Sequence, residues 1–105
     1  MESRLLYSAA THLRSYIIWD HDWIHFGTGN EINITLINSL IDEFLKDDNL
    51  NFVQKRNNSG TYKRSEINTI IEDLLGRAEF QIWNISMDRV IKFDEIGVLQ
   101  LGRKK

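Results

Sequence analysis

The densest concentration of chemically capable side chains is W-D-H-D-W-I-H, from Trp19 to His25. On a helix, His21 and His25 would stand one turn apart on a single face, the spacing of metal-binding pairs. H-D-W-I-H also approximates the H-E-x-x-H zinc pattern, with Asp22 in the place of Glu. That departure matters, because Asp is one methylene shorter and would reach a metal-bound water from a different place. The only further histidine is His12. The expectation is therefore no metal here, with the tryptophans packed and the histidines and aspartates as partly exposed polar groups around a helix end.

A nucleophile is harder still to assemble. The chain has no Cys, and its serines lie in helical or turn contexts without a G-x-S-x-G elbow. Gly27 and Gly29 lack the following Lys or Gly of a phosphate loop. Asp94 and Glu95 follow ordinary turn preference. These observations point to a non-enzymatic protein without a cofactor.

Charge is the remaining resource. The formal net charge is −2, which argues against a dedicated nucleic-acid binder, whose footprint is a basic excess. Lys55, Arg56, Lys63 and Arg64 form a positive stretch with Tyr62 inside it, and 55–64 is where nucleic acid would bind if it bound at all. Against that use, the third helix carries Glu66, Glu72 and Asp73, which phosphates would repel. Asp42, Glu43, Asp47 and Asp48 make the acidic counterpart, relieved only by Lys46. Arg103, Lys104 and Lys105 form a basic tail, expected to fray.

These groups need elements to hold them. Leu5, Leu6, Ala9, Ala10, Leu13, Tyr16 and Ile17 recur at helical intervals, giving a first helix that ends either near Trp19 or, with Trp23 and Ile24 extending its stripe, at Gly27. A second helix begins around Asn33 as its cap, with Leu36, Ile37, Leu40, Ile41, Phe44 and Leu45 inward and Asp42 and Glu43 outward. A third runs from Ser65 as cap to Gly76 as stop. I-N-S-L-I-D-E-F-L at 37–45 is echoed by I-N-T-I-I-E-D-L-L at 67–75, with four of nine positions identical. Each segment precedes a strand-like run, L-N-F-V and F-Q-I-W.

After the third helix the apolar period falls to two. Phe80 and Ile82 point one way and Trp83, Ile85 and Met87 the other, marking a central strand apolar on both faces. M-D-R and D-E-I-G then give reversals into R-V-I-K-F and V-L-Q-L. T-Y-K-R could return as a hairpin partner of Leu50 to Lys55. The alternative is a parallel β-α-β unit around 65–76. The expected fold is α+β: about three helices on a small, mainly antiparallel sheet ending in a C-terminal three-stranded meander.

A chain of 105 residues is expected to form a single domain, 1–105, with one modest core. The lack of Cys fits a reducing compartment. No basic n-region followed by an apolar run opens the chain, and no stretch approaches the roughly 18 apolar residues of a membrane span. A cytoplasmic protein with no membrane partner is expected.

A short, mildly acidic, cysteine-free α+β chain without a catalytic motif resembles the small cytosolic immunity proteins that bacteria make against their own toxins, including those of contact-dependent growth inhibition. The resemblance is one of overall type across the whole chain. It implies a tight complex with a cognate toxin domain, often a nuclease, whose basic groove would be met by acidic groups. Asp42, Glu43, Asp47 and Asp48, with Asp20 and Asp22, would then steer association, and Trp19, Trp23 or Trp83, where exposed, would anchor it. A small adaptor or oligomer-forming protein is the alternative.

Overall fold

The computed structural model describes residues 2–105. Its centre is β5 (Phe80–Asn84), where side chains alternate between two apolar environments. Phe80 and Ile82 join one buried cluster and Trp83 the other. A strand apolar on both faces must be covered on both, and the helices divide accordingly.

On one face lie α2 (Ile34–Leu40), its continuation as a π turn (Ile41–Leu45), and α3 (Arg64–Ile71). Ile37, Ile41 and Leu45 are buried there, and so are the echoed positions Ile67, Ile71 and Leu75. The inward halves of the two similar segments thus serve the same core. The opposite face is covered by α1 (Ser3–Leu13), which buries Leu6 and Ala10 against Val53, Trp83, Met87 and Val90.

The remaining strands are β1 (Ile17–Trp19), β2 (Ile24–His25), β3 (Asn49–Lys55), β4 (Asn58–Lys63), β6 (Arg89–Phe93) and β7 (Val98–Lys104). All seven form one sheet in the order β1-β7-β6-β5-β3-β4, with β2 also on β7. Every pairing is antiparallel. The expected α+β class and C-terminal meander, β5-β6-β7, are both present. β3 and β4 form the hairpin that the sequence left open. Because β3 is antiparallel to both β4 and β5, those two run parallel with β3 between them. The β-α-β order is real, but the unit is split by an inserted strand.

Three segments differ from what their sequence pattern predicts. First, α1 ends before either of the two expected ends, near Trp19 or at Gly27. It gives way to a 3-10 turn at Arg14–Tyr16, and the chain then enters the sheet edge. The β-branched Ile17 and Ile18 suit a strand better than a helix end. Second, Ser65 is not the cap of α3. That helix begins one residue earlier, and Glu66 Oε1 accepts the Lys63 N–H at 3.0 Å. Third, Arg103 and Lys104 do not fray. They belong to β7, opposite Ile18 and Ile17, so the last strand pairs with the first. By contrast, Asn33 caps α2 as expected, its Oδ1 accepting the Leu36 N–H at 3.1 Å.

The outer edge of β4 is closed at both ends. Ser3 Oγ accepts the Ser59 N–H and donates to the Arg56 carbonyl, both at 2.9 Å, and Glu66 takes the Lys63 amide. The other edge is interrupted between β1 and β2. Both devices discourage addition of a foreign strand.

Candidate functional site

The acidic segment is placed by the end of α2. Lys46 N–H bonds back to the Ile41 carbonyl, five residues earlier, at 3.4 Å. Lys46 itself takes a left-handed conformation, φ 57°, which turns the chain sharply towards β3. The four carboxylates then part company. Asp42 reaches the Nε of Arg64 at 2.7 Å. The same guanidinium donates to Asn38 Oδ1 at 2.9 Å and Asn68 Oδ1 at 3.0 Å, so this cluster clasps α2 to α3. Asp47 Oδ2 accepts the Ile85 N–H at 2.8 Å, fixing the acidic turn against the end of β5. Glu43 and Asp48 are exposed.

Asp47 brings an apolar neighbour that strand alternation had assigned to the interior. Ile85 lies just beyond β5 and is 48% exposed. Acidic charge and an exposed aliphatic side chain therefore meet at one end of the sheet, at the start of β3 and the end of β5.

Trp19 to His25 is no helix. It is an edge strand, β1 then β2, interrupted by a bulge at 20–23. Trp19 stands opposite Gly102 and Ile24 opposite Leu99, so four residues on this strand span two on β7. His21 lies in the bulge and His25 in β2, and the helical spacing needed for a metal pair is not formed. Among the described residues no group of three or more His, Cys, Asp or Glu side chains converges as a metal cage requires.

The bulge turns its residues to different uses. Asp20 pairs with Arg103, whose guanidinium carbon stands 4.8 Å from the Phe44 ring centroid. That chain of contacts ties Asp20 to the face carrying α2. Trp19 faces the other way. A Cβ built on Gly102 would sit 2.8 Å from its ring and 2.6 Å from Ile17 Cγ2, so the indole lies over the glycine on the α1 side. Trp23, 47% exposed, is close by. The Lys92 ammonium lies 5.9 Å from the Trp19 centroid and 5.7 Å from that of Trp23, within cation–π range.

The residues expected to form one partner surface are thus divided. Asp47 meets Ile85 at one end of the sheet, with Glu43 and Asp48 exposed on the same turn. Trp23 and Asp22 lie beside the opposite end of β7, and Trp19 turns to the α1 face. Trp83 is fully buried and is core. Arg64, counted among the basic residues of 55–64, is spent on Asp42, Asn38 and Asn68. Sequence reasoning missed Ile85, Lys92, Gln81 and Gln100. Alternation could have placed the last three in one row across β5, β6 and β7, but not shown that α1 borders the row and leaves it half-buried.

Comparison with families of known proteins, with curated proteins and with solved structures returned no match.

Proposed function

We propose that this is a non-catalytic protein-binding protein, best read as a bacterial immunity protein that neutralises a cognate toxin domain by covering its basic groove. The observation that carries the reading is the acidic turn. Glu43 and Asp48 are exposed on either side of Asp47, which fixes the turn to the exposed Ile85 through its amide. Charge for steering and an apolar anchor for residence are the two ingredients of a tight interface. A turn fixed before binding also loses less entropy on association. Asp42 contributes internally, through Arg64, rather than as a free contact.

The test pairs biology with kinetics. The protein should rescue cells expressing a toxin domain encoded beside its own gene. Reversing Glu43 and Asp48 to Lys should slow association with that domain about ten-fold at low salt, with circular dichroism unchanged. No rescue, or an association rate insensitive to the double reversal, would remove this reading. An adaptor would instead hold a partner that is not toxic.

A further inference from the structure

We infer that the uncovered part of the α1-side sheet face is a binding site for single-stranded nucleic acid, a function independent of the acidic turn. α1 lies mainly over β3 and β4. Leu13 is its last helical residue, and beyond it the chain leaves for the sheet edge. The three central positions of the next sheet row, Gln81, Lys92 and Gln100, are directly cross-strand neighbours. The adjoining row of this face holds Trp83 and Val90, packed with Leu6 and Ala10 of α1, and continues through Asn51 and Thr61, which satisfy each other by a hydrogen bond. Gln81, Lys92 and Gln100 are only half-buried, and α1 borders the row through Tyr7, Thr11 and Arg14 rather than covering it.

The two amides are oriented by partners whose chemistry admits one answer. An indole N–H can only donate, and Trp83 Nε1 gives its hydrogen to Gln81 Oε1 at 2.9 Å. The Gln81 NH2 group is therefore left without a partner among the described residues. A carbonyl can only accept, and the Asp20 carbonyl takes the Gln100 Nε2 hydrogen at 2.8 Å, which leaves Gln100 Oε1 free. The row presents a donor, a cation and an acceptor. With strands about 4.8 Å apart, it spans about 10 Å, enough for the polar edge of a base and its attached phosphate.

Stacking surface and charge flank this row. Trp23 offers the exposed ring, and Trp19 backs Lys92 from the same side. On the other side a cleft of about 200 Å³ runs between α1 and the sheet, lined by Arg14, Tyr7 and Lys92. It adjoins a second cleft, also lined by Tyr7, that continues to His12 and Arg56. Neither Lys92, Arg14 nor Arg56 makes an ion pair among the described residues. The margin holds two carboxylates, Glu79 in the first cleft and Asp22 in the bulge, since Asp20 is neutralised by Arg103. Aromatic rings and unpaired cations on both sides of Lys92, from Trp23 to Tyr7 and Arg56, suit a single strand: bases stack, and the backbone follows the cations.

The overall negative charge does not oppose this. Residues 29–48 and 64–77, which supply α2, α3 and their turns, carry eight carboxylates and three basic side chains. The rest of the chain carries seven carboxylates and ten basic side chains. The negative excess belongs to the helical layer on the far side of the sheet.

The test is fluorescence anisotropy with labelled single strands of roughly ten nucleotides, RNA and DNA, at low and at physiological salt. Duplex of the same length, a mononucleotide and a polyglutamate peptide serve as competitors. Single strands should bind and quench tryptophan emission. Trp23→Ala should weaken binding roughly ten-fold, and Lys92→Gln should lower the salt slope by about one. Glu43→Gln, on the acidic turn, should change neither. Absence of single-strand binding at low salt would overturn the proposal. So would equal binding of duplex, mononucleotide or polyglutamate, or an unaltered affinity in Trp23→Ala with its fold intact. Loss of toxin rescue would leave this result untouched.

Discussion

At the residue scale, similar side chains carry different duties, and substitution should separate them. Asp42 and Glu43 are adjacent carboxylates on one turn, yet only Asp42 meets Arg64, whose side chain is 22% exposed. Asp42→Ala should lower stability by about 1 kcal/mol in urea unfolding, because it strips a charged partner from a guanidinium largely withdrawn from water. Glu43→Ala should stay within about 0.5 kcal/mol of the parent. Gly102 is fixed by space rather than by backbone angle. Any side chain there must displace Ile17 and Trp19, so Gly102→Ala should cost about 1–3 kcal/mol by overpacking, with Trp19 emission shifted as the ring is pushed outward. The sequence shows a glycine in a strand and signals close approach. It does not say which group approaches.

At the element scale, the two similar segments show how far pattern reading reaches. Their inward positions were legible because a period of 3.6 leaves Ile, Leu and Phe no other place to go. Their ends were not, since a boundary is decided by a few hydrogen bonds rather than by the stripe. The first segment closes as a π turn held by Lys46 in a left-handed conformation. The second loses regular helix after Ile71 and continues through turns to Gly76, φ 72°. The acidic turn depends on Asp47 and its hold on the Ile85 amide. Asp47→Ala should destabilise by about 0.5–1.5 kcal/mol, and hydrogen exchange should quicken at Ile85 while the central amides of β5 stay protected. The stretch 19–25 failed as a helix for a related reason. Its apolar residues match either period, and β7 was available as a partner for extended backbone.

At the scale of the whole molecule, the sheet closes the chain on itself. β1 near the start pairs with β7 near the end, and Lys105 N–H reaches the Tyr16 carbonyl at 3.1 Å. Removing 103–105 should therefore do more than trim a tail. It deletes the pairing of Ile17 and Ile18, the Asp20–Arg103 contact and the packing of Arg103 on Phe44, and should cost about 1–3 kcal/mol, with exchange of the β1 amides rising first. Such long-range closure leaves no local trace in the sequence, where 103–105 reads as a charged run. By itself the sequence determined the α+β class, the inward stripes of three helices, the two-faced central strand and the meander. These follow from local period and turn chemistry, which each segment carries alone. Only the tertiary structure decided what W-D-H-D-W-I-H becomes, that Asp42 and Arg64 serve each other, and that the tryptophans and the acidic turn occupy different places. Those outcomes depend on which strand lies beside which and on where one helix stops, and neither is written in any single stretch of the chain.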